Sequence, residues 1–173
     1  MRGTYTAESD ISDRTNIRIW VDADACPVRV KELLIKTSSR LDLELIFVSN
    51  QSISVPRNEN IQLIVVTDGA DVADDLIAKK VCDFDVVVTQ DVPLAARVVE
   101  KGAFAIGPRG EIHDDATVHS RLATRNLMEQ FRSMGQETRG PRPLSDKDLQ
   151  AFANALDKTL TRSRKLFDKA TES

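Results

Sequence analysis

Five aspartates, Asp22, Asp24, Asp71, Asp74 and Asp91, are the residues of this chain whose type and spacing bear on chemistry. Asp22 closes a short β-prone run, IRIWVD, and Asp24 follows two residues later. Asp71 and Asp74 lie in DGADVADD, where the spacing puts 71, 74 and 75 on one helix face. Asp91 follows the apolar run VVVT. Carboxylates brought together repel, and each raises the next one's pKa unless a cation joins them. An all-oxygen set suits a hard divalent ion, Mg2+ or Mn2+, which retains waters that a phosphate can displace. The implied chemistry is metal-assisted phosphoryl or phosphodiester transfer. Each acid also has a plainer reading. Asp71 and Asp91 stand where helix caps belong, Asp74 in a first turn favoured by the macrodipole, Asp75 on a solvated face and Asp68 in a turn before Gly69. Asp22, ending an apolar strand, is the hardest to explain that way.

The acids matter only if the chain brings them together. Ile17–Asp22, Leu43–Val48, Ile61–Val66, Val86–Thr89 and Phe104–Ile106 read as strands. The third and fourth are too continuously apolar to face water on either side. Between them, Pro27 suits a first helical turn before Val30, Leu33 and Leu34, and residues 71–82 and 93–101 follow helical spacing. Strands alternating with helices or long connections predict an α/β domain, a parallel sheet covered by helices on both faces. Such sheets bind ligands beyond the carboxyl ends of their strands, where Asp22, Asp68–Asp75 and Asp91 all fall. Residues 117–134 predict a helix carrying Val118, Leu122, Leu127 and Phe131, followed by a Gly/Pro-containing linker. Ser145 and Asp148 form a capping-box pattern that opens a long helix with Leu149, Phe152, Leu156 and Leu160 on one face. Residues 1–16 read as a flexible leader, 17–160 as the domain, and 161–173 as the end of the last helix and a tail.

Candidate phosphate contacts lie in the second half. Arg109 sits in GPRG after the fifth strand, at the edge expected for the acids. Arg121, Arg125 and Arg132 are spaced to share one helix face, either a solvated surface or contacts to a nucleic-acid backbone. Charge is split accordingly: residues 1–96 carry 10 Lys and Arg against 16 Asp and Glu, and residues 97–173 carry 14 against 11. Cys26 and Cys82 form no disulfide framework and read as packed residues, while His113 and His119 lack metal-ligand spacing. Across 173 residues, 41% hydrophobic content supports a core and disfavours global disorder. With no membrane-length apolar run and no basic-then-apolar leader, a soluble cytoplasmic protein is expected.

The motifs VDADACP (21–27), VSNQSISVP (48–56), DGADVADD (68–75), TQDVPLAARVVEKGA (89–103) and GPRG (107–110) resemble the YaiI/YqxD family of uncharacterised bacterial proteins. The resemblance spans about residues 17–160. That family is commonly grouped with PIN-like domains, metal-dependent ribonucleases on a parallel α/β/α sheet. The resemblance implies a nuclease that hydrolyses RNA with Mg2+ or Mn2+. Asp22 stands at the first acidic position, Asp74 or Asp75 at the second and Asp91 at the third, with Asp24 and Asp71 completing a metal shell. Arg109, Arg121 and Arg125 would then position RNA phosphates. Many PIN nucleases carry another acid four residues past the third position; this chain has Ala95 there.

Other classes predict different roles for the same residues. A haloacid-dehalogenase-like phosphatase also begins strand-D-x-D, with Asp22 as nucleophile, Asp24 as acid/base and Ser49 binding phosphate. It wants a Lys before the late acids, whereas Lys79 and Lys80 come after them. A receiver-like switch would want a Lys after the fifth strand, where GPRG offers Arg109. A non-catalytic RNA-binding module would keep the acidic crevice as a remnant.

Overall fold

The computed structural model describes residues 14–69, 71–135 and 142–172. Five parallel strands, β1 (Arg18–Asp22), β2 (Glu44–Ser49), β3 (Ile61–Val65), β4 (Val86–Val88) and β5 (Phe104–Ile106), form one sheet. A short β6 (Ile112–His113) adds antiparallel to β5, giving the order β3-β2-β1-β4-β5-β6. The helices are α1 (Val28–Leu41), α2 (Val72–Lys80), α3 (Val92–Glu100), α4 (Asp115–Ser133) and α5 (Asp146–Thr171). The step from β1 to β2 runs one way across the sheet; those from β3 to β4 and from β4 to β5 run the other way. Right-handed crossovers therefore place α1 on one face and α2 and α3 on the opposite one.

Side-chain alternation along the strands feeds both layers. Ile19, Val21, Leu45, Phe47, Val86 and Val88 pack with Val30 and Leu34 of α1 and with Phe152, Leu156 and Leu160 of α5. Trp20, Ile46, Val48 and Val87 pack with Ile77 of α2, Leu94 and Val98 of α3 and Val118 of α4. Burial on both faces is why these strands read as continuous apolar runs. The expected three-layer α/β fold is present. Among the described residues, no helix is long and apolar enough to cross a membrane.

Several elements differ from the sequence reading. β3 is an edge strand with one neighbour, half-buried along most of its length, and Val65 is 52% exposed. As read, a long connection rather than a helix joins β2 to β3; residues 50–60 run without regular structure, and Ile53 and Val55 pack on the α1 face. The apolar stripe expected on α4 is core only at its start. Val118 is buried, whereas Leu127 and Phe131 are exposed, because the helix outruns the sheet it covers. α4 begins at Asp115, two residues earlier than expected, under a capping box formed by Asp114 and Thr117. The Ser145–Asp148 capping box is present as read. α5 continues to Thr171, with Ser163 and Phe167 buried against the domain. The leader expected over 1–16 is tied down at its end, where Arg14 pairs with buried Asp85. Residues 1–13 and 136–141 of the linker lie outside the described residues.

Gly110 makes the loop after β5 possible. Its φ is +95°, and a Cβ there would sit 2.8 Å from the backbone carbonyl carbon and oxygen of Ala151 in α5. Gly110→Ala combines a disfavoured backbone with overlap against a rigid helix, so it is expected to cost roughly 2–3 kcal/mol. Urea unfolding measures this, and a loss below about 0.5 kcal/mol would show that the loop adapts freely.

Candidate active site

The strand order reverses between β1 and β4, which opens a crevice at the carboxyl edge of the sheet. Alternation decides what points into it. Asp22 lies two residues beyond Trp20 and so faces the same layer, that of α2, α3 and α4. Those helices bring the other acids. Asp74 is in the first turn of α2, and Asp91 caps α3, its Oδ1 accepting the Leu94 N–H at 2.8 Å. Thr89 connects the group. Its hydroxyl donates to Asp22 Oδ2 at 3.1 Å and accepts the Asp91 N–H at 2.9 Å.

The electrostatics record the convergence. Burial raises the Asp22 carboxyl above its ordinary value; Asp24 and Asp91 raise it further, while the Thr89 hydrogen bond lowers it. Asp74 is pushed up to about 7, first by burial and then by the charges of Asp91, Asp22 and Asp71 and by a hydrogen bond with Asp91. At neutral pH Asp74 thus holds a proton for part of the time. Electrostatic coupling reaches further than coordination: among the described residues, no three His, Cys, Asp or Glu side chains are grouped to hold one ion as placed.

The remaining acids divide. Asp71 sits at the cap position of α2 with φ +64° and makes no side-chain capping bond; it lines the same cleft as Asp74 and Asp91. Asp75 pairs instead with Arg97 at 2.7 Å on the cleft's rim. Of the two candidates for the second acidic position, Asp74 is the one beside Asp91. Asp24 faces away towards β2, where its carboxylate accepts the Ser49 hydroxyl at 2.7 Å and the Asn50 N–H at 2.9 Å. Ser49 is fully buried, so the hydroxyl that a phosphatase would turn to phosphate is committed to Asp24.

Two clefts flank the N-terminus of α3. The acidic one, about 350 Å3, is lined by Asp71, Asp74, Asp75 and Asp91 together with Arg97 and Arg125. The other, about 250 Å3, includes Thr89, Gln90, Arg109 and Arg121. Arg125 also pairs with Glu129 at 3.2 Å. Arg121 donates to the Ile112 carbonyl at 2.8 Å and lies 3.0 Å from His113 Nδ1. Arg109 is engaged by Asp148 at 2.7 Å and by the Arg142 carbonyl, which pins the GPRG loop to the start of α5. Cys26 is buried and its thiol is pushed up to about 12 by that burial, in keeping with a packed residue.

The family described as "Uncharacterized BCR, YaiI/YqxD family" matches residues 20–162, an interval that contains every acid and arginine of both clefts. The chain belongs to the YaiI/YqxD family. Similar proteins include a UPF0178 protein of Psychromonas ingrahamii, 48% identical over 147 residues that cover 85% of this chain and 97% of the relative. One of Azorhizobium caulinodans is 50% identical over 149 residues, 86% of this chain and 92% of that protein. One of Hydrogenovibrio crunogenus is 47% identical over 146 residues, covering 84% and 97%. No solved structure matches the chain.

Two site residues of this YaiI/YqxD protein, Thr89 and Arg97, were assigned no role from the sequence. Thr89 follows β4 at the carboxyl edge, the position that singled out the acids and Ser49, so its hydroxyl was findable by the same rule. Arg97 was not, because its partner Asp75 lies 22 residues away on another helix.

Proposed function

We propose that this protein is a PIN-like, divalent-metal-dependent hydrolase of RNA phosphodiester bonds. The observation that carries the reading is that Asp22, Asp74 and Asp91, each from a different element, lie within electrostatic reach of one another at the strand-order reversal, beside a cleft containing Arg97 and Arg125. The donor set fits Mg2+ or Mn2+: it is all oxygen, and Asp74 is raised by the negative charge of Asp91, Asp22 and Asp71, a charge that a cation would offset. Asp22, Asp74 and Asp91 would hold the ion, with Asp24 and Asp71 adding negative potential around it. When bound, the ion would neutralise phosphate charge and make water a better nucleophile. Thr89 fixes the orientation of Asp22 and the backbone of Asp91. Arg97 and Arg125, on the cleft wall, would orient the phosphodiester, and Arg121 would serve the neighbouring cleft. Arg109 acts by holding the loop between the second cleft and α5.

Cleavage of end-labelled single-stranded RNA in Mn2+, with a chelator control, tests the reading. Wild type is expected to cleave and the chelated enzyme to stop. Asp91→Asn keeps a capable helix cap yet should lose about 100-fold or more in rate. Equal cleavage by both proteins, or none by wild type over a broad substrate panel, would remove the nuclease. Turnover of p-nitrophenyl phosphate through an aspartyl-phosphate would favour a phosphatase, and specific RNA binding without turnover a binding module.

A further inference from the structure

The second cleft shares Thr89 with the acidic edge, so whatever occupies it lies beside the bond positioned there. Its wall presents an unusual pair. The Glu111 carboxylate folds back over the Cα of Gly107, where any Cβ would collide with it. Among the described residues, it takes part in no hydrogen bond or ion pair. Arg121 is the opposite case: its guanidinium is held in place by the Ile112 carbonyl and His113 Nδ1. Pro108 and Val92 add apolar surface, and Gln90, whose Nε2 donates to the Ala25 carbonyl at 2.9 Å, keeps its Oε1. At about 250 Å3 the space falls just under the roughly 300–1,000 Å3 typical of drug-sized ligands and suits one planar ring system.

A slot with a carboxylate acceptor, an oriented guanidinium donor and apolar walls fits a nucleobase that offers donors on one edge and acceptors on another. Guanine does so. Its N1–H and N2–H can donate side by side to a carboxylate, and its O6 and N7 accept from an arginine. Adenine lacks the paired donors, and the pyrimidines offer a single ring and fewer matching groups.

We propose that this cleft is a nucleobase subsite selecting guanine, with Glu111 reading the N1–H/N2–H edge and Arg121 the O6/N7 edge. The proposal rests on the RNA reading of the acidic edge and deepens it, since it places the cut next to a guanosine. The test is calorimetric titration of the full chain with GMP, AMP, CMP and UMP, which requires no turnover. GMP should bind wild type roughly tenfold or more tightly than the others, the discrimination that one bidentate pair supplies. Glu111→Gln should bring GMP down to the level of AMP. Gly107→Ala should do the same by a different route, because its methyl displaces the carboxylate while leaving Glu111 in the sequence. Unchanged melting temperatures would show both variants folded. Four nucleotides bound alike, none bound at millimolar concentration, or a GMP preference that survives both substitutions would overturn the subsite. An active wild type cutting without regard to guanine would overturn the subsite alone. An inactive wild type that still prefers GMP would overturn the nuclease and leave the subsite standing.

Discussion

Asp22→Asn is expected to raise the thermal stability of the metal-free protein at neutral pH while slowing RNA cleavage about 100-fold or more. Asparagine has the shape of aspartate and can accept the Thr89 hydroxyl, so the local geometry survives. What disappears is a charge that the fold resists. The Asp22 carboxyl lies above its ordinary value of 3.8 because it is buried beside other acids. Between that value and the folded one, the native state keeps a proton that the unfolded chain has released. Wild-type stability therefore falls as pH rises through this window. Asp74 contributes in the same sense up to about 7, and part of its rise comes from Asp22, so the substitution relieves both acids. The advantage of the variant should be absent near pH 4 and grow towards pH 8, as read by thermal unfolding with a chelator present. Activity should move the opposite way, because a metal ligand contributes several kcal/mol in the transition state. A variant that melts below wild type equally at both ends of the pH range, or one that cleaves normally, would make Asp22 a structural residue.

Asp85→Ala should cause the largest loss of stability in the molecule. Asp85 is fully buried just before β4, at the edge of the sheet opposite the acids. It accepts from the Arg18 backbone N–H at 3.1 Å, Arg18 Nη2 at 2.9 Å, Trp20 Nε1 at 3.1 Å and the Cys82 N–H at 3.0 Å, and it pairs with Arg14. Alanine removes the carboxylate to which both guanidiniums are tied, where they lie over the Phe167 and Trp20 rings. Breaking a buried pair by deleting one partner costs about 3–5 kcal/mol, which lowers the melting temperature of a chain of this length by roughly 10 °C. Urea unfolding and thermal melts should agree. A loss under about 1 kcal/mol would mean that water or other groups solvate the arginines after the substitution.

These two aspartates also show what was legible in the sequence. Asp22 could be read because a strand's end has a location that topology fixes: once the runs IRIWVD and VVVT are parallel strands, their final residues share an edge. The face it points to follows from alternation with Trp20. Asp85 could not be read, since its partners come from residues 14, 18, 20 and 82 and no local spacing links them. The partners of the arginines were hidden for the same reason. Arg109 sits at the expected edge, yet its direction is decided by Asp148, 39 residues later. The strands announced themselves through burial on both faces; β3, at the margin, carried the same composition with only half the cover. The start of α4 was misplaced because Asp114 and Thr117, rather than the apolar stripe, set where that helix begins.

α5 spans 26 residues, about 39 Å of helix, and touches the domain at both extremes. Near its start, Asp148 takes Arg109 and Arg142, holding the loop that walls the second cleft. Near its end, the Ser163 hydroxyl bonds the Phe84 carbonyl, and the Phe167 ring meets Phe84 edge-on at 6.5 Å. The helix is thus a strut between the two rims of the sheet, with a charged clamp at one tip and an aromatic one at the other. One continuous helix therefore borders both the wall of the second cleft and, on the far side of the sheet, the chain segment that enters beside Asp85, where Arg14 lies over the Phe167 ring.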